Sequence, residues 1–422
     1  MCVVASMSRA QCGLQSGPMA GYSDMLEVTI WVQTKCAQDV QLRYWLSGHP
    51  DTSWLSDPVT TSAEHGFCAH LIANRVTPGN NYNYEILIDD ETMELPYSTT
   101  FVTQPLWQWR TNPADFSFVA GSCAYVNEEV YDRPGKPYGG DYHIFSAIQA
   151  DDPDMMVWLG DNIYLREVDW NTKTGIYHRN THTRSLPELQ PLLASTHHYA
   201  TWDDHDYGPN DSDRSYWGKD ITLQAFKDFW ANPNYGVGGT EGITGTFFRE
   251  DCQFFIMDNR WYRAPRHGTG EYYGKEQLIW LIDALRYSKA PYKFICTGGQ
   301  ILNDAAVFEN YAQFPAERRA LLDSIDKYNI KGIVFLTGDR HHSEISRMRT
   351  ADGDVFYDIT SSALTSNTFS HPDESNNFRI PGSMIGVRNY VLISVSGPLN
   401  ERKCKVVFKD ANGVVLNEYE LE

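Results

Sequence analysis

No stretch approaching the ~18 consecutive apolar residues of a membrane helix occurs in the chain, so a helical membrane span is excluded. Basic residues are scarce: 35 Lys and Arg stand against 54 Asp and Glu, a formal charge of −19. A protein whose main partner is a phosphate backbone needs a basic face, so no nucleic-acid-binding domain is expected. Cysteine is also sparse. The eight cysteines lie at positions 2, 12, 36, 68, 123, 252, 296 and 404, and none forms a CxxC pair. That excludes the short, Cys-dense disulfide scaffolds, and no disulfide framework is expected. Internal repeats and low-complexity tracts are missing. Met1 to Gly13 holds a single Arg and no apolar run, so no signal peptide is recognisable there. Either the protein is cytosolic or the sequence begins after a removed segment.

What is present is the material of a large folded protein. Of 422 residues, 42% are hydrophobic and 21% charged. At ~150 residues per domain this length suggests two to three domains. The first hundred residues alternate with period two: Leu26 to Val32, Val40 to Leu46 and Asn81 to Ile88, punctuated by turns such as Thr77-Pro78-Gly79-Asn80. Short alternating strands without helical pattern predict a small β-sandwich. Thr103 to Pro113 looks like a linker. After it, continuous apolar runs suited to strands buried on both faces appear at 116–120, 155–159, 254–257, 294–296 and 333–336. Helical patterns at 274–287 and 315–328 alternate with them, which predicts an α/β layered domain. From Val387 onward β grammar returns, in runs 390–395, 404–409 and 414–419. Cys252 and Cys296 sit inside apolar runs and read as buried thiols.

The chemistry gathers at strand ends. Three apolar runs close on a Gly followed by polar residues: Ala120-Gly121-Ser122-Cys123, Leu159-Gly160-Asp161-Asn162-Ile163-Tyr164, and Thr337-Gly338-Asp339-Arg340-His341-His342. A fourth cluster is Trp202-Asp203-Asp204-His205-Asp206. Ligands bind beyond the carboxyl ends of strands in open α/β sheets, and Gly lets the backbone turn so that the next side chain enters the crevice. Thiolate, phenolate, carboxylate and imidazole together form a metal-binding set. Three acids in four residues are costly unless a cation or solvent relieves them. Arg260, just after the run at 254–257, could hold two phosphate oxygens or a neighbouring carboxylate such as Asp258. Arg340 and His342 alternate with their neighbours and are expected to point away from the metals. His197 and His198 read as structural.

Gly-Ser-Cys, Leu-Gly-Asp-Asn-Ile-Tyr, Trp-Asp-Asp-His-Asp and Gly-Asp-Arg-His-His together resemble the motifs of the PhoD-type alkaline phosphatases and phosphodiesterases. These are a divergent branch of the calcineurin-like metallophosphoesterases. The resemblance spans roughly residues 110 to 400 and includes Gly208 to Asp213 and Phe229 to Pro233. It implies an α/β fold, a two-sheet sandwich flanked by helices, preceded by an immunoglobulin-like β-sandwich. The domains are then 1–105 and 106–422.

By the same resemblance the metal ligands are Cys123, Asp161, Tyr164, Asp204, Asp339 and His341, with Asp161 bridging and Tyr164 in place of the usual second Asp. The Cys, Tyr and His donors suit Fe³⁺, and the carboxylate position suits Ca²⁺, with Mg²⁺ or Mn²⁺ as substitutes. Asp203 and Asn210, with Asp206 and Asp211, are candidates for additional calcium. The implied reaction is hydrolysis of a small or polymeric phosphate ester, a metal-bound hydroxide or oxide attacking phosphorus. His205 is either a proton donor at the leaving oxygen or a residue that orients Asp204. Asp161, His205 and Arg260 form the expected catalytic set, with His205 and Arg260 on the substrate. Phospholipase D-type cleavage is an alternative on the same scaffold. A non-catalytic calcium-dependent binding protein is the alternative from another class, although calcium alone does not call for Cys123 and Tyr164. The resemblance favours a periplasmic or secreted location. Segments 167–184 and 362–379 are expected to be loops that shape the pocket.

Overall fold

The computed structural model describes residues 12–265, 270–350 and 352–422. The reading of Met1 to Gly13 as lacking a leader falls almost entirely outside them. Residues 14–102 form two antiparallel sheets face to face. One has the order Leu14–Ser23, Val28–Thr34, Cys68–Ala73; the other centres on Asp39–Leu46 and Asn81–Ile88. Period-two alternation sends Val28, Ile30 and Val32 against Leu42, Tyr44, Tyr84 and Ile86, and all are buried.

A disulfide joins Cys12 to Cys36 across a separation of 24 residues, contrary to the expectation of none. Closing a loop of this size restricts the unfolded chain by about 3 kcal/mol. Composition concealed it, because one bridge in a long chain leaves no Cys-dense signature.

The remaining residues form two six-stranded sheets. The first has the order His197–Thr201, Met155–Leu159, Phe116–Gly121, Asn389–Ser396, Lys403–Asp410, Val415–Glu420. The second has the order Gly245–Arg249, Cys252–Ile256, Lys293–Cys296, Ile333–Thr337, Val355–Thr360, Glu344–Arg349. The first three strands of the first sheet run parallel, as do the middle four of the second. Their apolar runs are explained by burial on both faces. Phe254 meets Phe118 of the other sheet edge-on at 5.2 Å, while its neighbour Phe255 turns outward beneath the helices Lys275–Tyr287 and Pro315–Lys327. Ile144, Phe145 and Ile148, on the helix Ile144–Ala150, pack with Trp158 from the outer face of the first sheet.

This is the α/β two-sheet sandwich behind a β-sandwich that the motifs implied. Two local expectations need correction. The stretch 103–113 is no free tether, since buried Gln104 donates to the carbonyls of Ser23 and Phe248, both at 2.8 Å. Segment 167–184 contains the helix Lys173–Arg184, whose buried Arg179 pairs with Asp169 and Glu128 at 2.8 Å. Buried polar residues had masked its helical period. Among the described residues no helix is long and apolar enough to cross a membrane.

Candidate metal centre

Parallel strands of both sheets end on one side, and the sheets are tied together there. Thr201 Oγ1 donates to the Met257 carbonyl at 2.7 Å, and Ser122 bridges to Ser362. Beyond these ends the chain turns through the left-handed region at Cys123 (φ 62°), Asp161 (51°), Asp339 (67°) and His341 (55°). Non-glycine residues seldom adopt it, and such conformations persist where surrounding structure imposes them. Gly298 serves close approach: a Cβ there would lie 2.3 Å from the Asp203 carboxyl carbon.

The donors fall into three contiguous groups whose ligand atoms lie within 4.8 Å of one another. Cys123, Asp161 and His341 form the first; Asp161, Asp204 and His205 the second; Asp203, Asp204, Glu309 and Asp339 the third. Asp161 belongs to the first two, and Asp204 links the second to the third. Asp161 Oδ2 accepts from the Tyr164 hydroxyl at 3.2 Å and from the Cys123 thiol at 3.5 Å. His341 Nδ1–H donates to the Asn367 carbonyl at 2.6 Å, leaving Nε2 to face the Tyr164 hydroxyl at 3.4 Å. The His205 ring lies 4.3 Å from that of Tyr164.

The electrostatics are those of a place prepared for positive charge. Burial, then Asp204 and Cys123, push Asp161 well above the usual carboxylate range; burial, then Asp203 and Glu309, do the same to Asp339. Burial also raises Tyr164, so its phenol stays protonated unless a cation displaces the proton. Burial pushes the Cys123 thiol up, but His341 and the Ser122 and Ser362 hydroxyls outweigh it and bring it to about 7. Burial lowers His341, but Cys123 more than reverses this and lifts it to about 9. Three buried atoms, Asp204 Oδ1, Asp203 Oδ2 and His205 Nδ1, have no hydrogen-bond partner. Orphaned buried acceptors beside mutually repelling carboxylates fit metal ligation.

The structure thus brings Cys123, Asp161, Tyr164, Asp204, Asp339, His341 and His205 to one spot. It treats the other expected site residues differently. Arg260 is fully buried, held by Asp203 and, through two nitrogens, by Glu309. Its guanidinium faces these acids, and Arg260 is not among the residues that line the cavity. Asp206 is a helix cap whose oxygens accept from the backbone of Asp203 and Asn162 at 2.9 and 3.0 Å, and burial lifts its carboxyl to about 8. Asn210 lines the cavity, and Asp203 gives one oxygen to Arg260 and Asn259. Arg340, expected to point away, lines the cavity wall while paired with Glu374.

Glu309 escaped the sequence reading. It follows no strand and lies in no Gly-Asp motif, and only the tertiary fold brings it to Asp203 and Asp339. Ser362 escaped likewise; its hydroxyl donates to Cys123 Sγ at 3.1 Å and accepts from the His341 amide at 2.9 Å. The cavity above the centre holds about 260 Å³ and is walled by Tyr138, His205, Phe308, Phe369 and His371.

Fold and centre together define an α/β two-sheet scaffold with a preformed cluster of metal donors at its strand ends. A family model described as PhoD-like phosphatase matches residues 246–391, and a domain of unknown function (DUF7800) matches residues 11–106. The chain resembles the PhoD-like phosphatases in fold as well. A solved structure of PhoD superposes with a TM-score of 0.78 at 17% identity, covering 97% of this chain and 89% of that one. Purple acid phosphatase from yellow lupin (Lupinus luteus) seeds superposes with a TM-score of 0.71 at 11% identity, covering 96% and 74%. No curated protein matches in sequence.

Proposed function

We propose that this chain is a metal-dependent phosphoesterase working at a dinuclear centre. The observation that carries the proposal is Asp161, a buried carboxylate standing in two adjoining donor groups at once. The match to a phosphatase family model and the shared fold support it. Cys123, Tyr164 and His341 with Asp161 suit Fe³⁺; Asp161, Asp204 and Asp339 suit Ca²⁺, or Mg²⁺ or Mn²⁺ in its place. Bound cations supply charge for the phosphoryl oxygens and activation of water.

The chain's own residues do the rest. His205 lines the cavity, and its ring can donate toward the ester oxygens. Tyr164 fixes the ring of His205 from beneath. Arg260 and Arg263 hold Glu309, and Arg260 holds Asp203, so the acids nearest Asp339 keep one arrangement. With Arg260 and Arg340 both engaged by acids, cations and His205 carry the burden of phosphate recognition. The Cys123 and His341 donor group argues against a calcium-only binding protein. A boundary near residues 105–106 and an oxidising, periplasmic or secreted location complete the reading, the latter supported by the Cys12–Cys36 bridge.

The test is elemental analysis of the purified protein, paired with turnover of 4-nitrophenyl phosphate and bis(4-nitrophenyl) phosphate with and without Ca²⁺. Stoichiometric iron and calcium with turnover are expected, and the ratio of rates separates monoesterase from diesterase. Full metal with no turnover of either ester would refute the proposal. A second prediction concerns Tyr164→Phe. With iron bound, the variant should lose the visible phenolate-to-iron absorption band while its fold, by circular dichroism, is unchanged. An unaltered visible spectrum would remove Tyr164 from the ligands.

A further inference from the structure

A second, larger space adjoins the cavity over the candidate metal centre. A groove of about 1120 Å³ runs between segments 125–138 and 164–170, and it shares Tyr138, His205 and Asn210 with the first cavity. Organic ligands occupy pockets of about 300 to 1,000 Å³. The inner cavity, at about 260 Å³, takes a phosphoryl group with the atoms attached to it, whereas the groove has room for a whole further substituent.

The groove is a built feature. Its outer wall belongs to a stretch, residues 123–141, without helix or strand. Long irregular stretches inside compact domains are commonly functional. This one is pinned by reciprocal 2.8 Å bonds between Asn127 and Gly139 and by Arg166, which reaches the Val126 carbonyl at 2.7 Å and Asp132 at 2.9 Å. Charge within it cancels despite the −19 of the whole chain. Arg166 pairs with Asp132 and Arg133 with Glu167. Lys136 and Glu129 also line it, so basic and acidic residues balance three to three and the groove has no net pull on a second anion. Tyr125, Tyr138 and Trp170 instead offer ring surfaces with polar edges.

Tyr138 stands at the junction of the two spaces. Its ring is half-buried, 4.8 Å from that of Tyr125 and 6.0 Å from that of His341. Its hydroxyl has no hydrogen-bond partner among the described residues. Resting on the phosphoesterase reading above, we infer that this groove seats an uncharged, ring-bearing arm of the substrate ester, a sugar- or nucleoside-like group. Tyr138 sets the preference for it: the ring stacks on the arm and the free hydroxyl meets its polar edge.

The experiment uses the metal-loaded protein and two diesters with the same leaving group and charge, ethyl 4-nitrophenyl phosphate and thymidine 5′-(4-nitrophenyl phosphate). The wild type should favour the thymidine ester in kcat/KM on the order of tenfold, the scale of one aromatic stacking contact. The difference should lie mainly in KM. Tyr138→Ala should bring the ratio close to one, and Tyr138→Phe should retain most of it. Should Tyr138→Ala fail to fold, the unaltered enzyme still decides: thymidine 5′-phosphate should inhibit competitively at lower concentration than ethyl phosphate. Equal kcat/KM for both diesters, or equal inhibition, would overturn the groove assignment while leaving the phosphoesterase reading intact. Full metal with turnover of neither diester would overturn both.

Discussion

Asp161→Asn should lower turnover at least about a thousandfold, ~4 kcal/mol of transition-state stabilisation, and should leave the purified protein depleted at both metal positions. The reason is topological as much as chemical. Asp161 is the one side chain common to the Cys123–His341 group and the Asp204–His205 group, so one substitution weakens both. The amide keeps the shape of the carboxyl but neither its charge nor its capacity to bridge two cations. Stability should move the other way without metal. Burial, then Asp204, Cys123 and Asp203, disfavour the charged carboxyl, so the metal-free chain must take up a proton there to fold, and an amide removes that cost. Chelated Asp161→Asn should therefore melt no lower than chelated wild type. Elemental analysis, a phosphate-ester assay and a melting curve check the three parts. Undiminished metal content and turnover would end the bridging role.

Relative to the metal-loaded protein, the chelated wild type should lose stability as pH rises from about 4 to about 9; buried His197 and His198, held down to about 4 and about 3, tilt both curves alike and drop out of the difference. In the metal-free fold, burial chiefly raises Asp203 to about 7 from an ordinary value of 3.8. Asp161 and Asp339 are raised well above the same value. An acid raised in this way keeps its proton in the folded chain after the unfolded chain has lost it. Its contribution is complete below the unfolded value near 4 and disappears as pH climbs through the folded value. The Cys123–His341 pair does not change the sign. The thiol, brought down to about 7, and the imidazole, raised to about 9, contribute opposite slopes between those values and largely cancel. Bound cations hold the carboxylates ionised and remove the proton linkage. Melting temperatures of chelated and loaded protein across this range are the measurement. Parallel curves would mean that the acids are relieved by something other than metal.

Much of this centre was legible because its residues sit where apolar runs stop. The runs at 155–159 and 333–336 correspond to the strands Met155–Leu159 and Ile333–Thr337, and the Gly-Asp that ends each supplies Asp161 and Asp339. Burial on both faces leaves no alternation, so these strands stand out as continuous apolar words. Glu309 and Tyr138 lie in irregular stretches, where period carries no information and only the three-dimensional path decides proximity. Arg260 exposed a different limit. Sequence places a guanidinium at a strand end but cannot say whether a phosphate or a carboxylate meets it, and here Glu309, far along the chain, had already taken it. The helix Lys173–Arg184 was missed because Arg179, Asn180 and Thr183 are buried through polar networks, which hides the amphipathic stripe.

The strand Phe116–Gly121, which delivers Cys123, lies between Met155–Leu159 and Asn389–Ser396. One neighbour follows it closely in the chain and the other comes some 270 residues later. Pairings of such long separation form late, because their loop-closure cost precedes any reward. On a ribosome the first sheet therefore stays open on that side until residue 396 has emerged. His341 and the Ser362 hydroxyl that contacts Cys123 also arrive only after most of the chain has been made. Until then the thiol and the acids of the centre are exposed separately, and none of them has the company that makes a selective site. On the metal-centre reading proposed above, ion capture would be an event of chain completion, with selectivity a property of the finished fold.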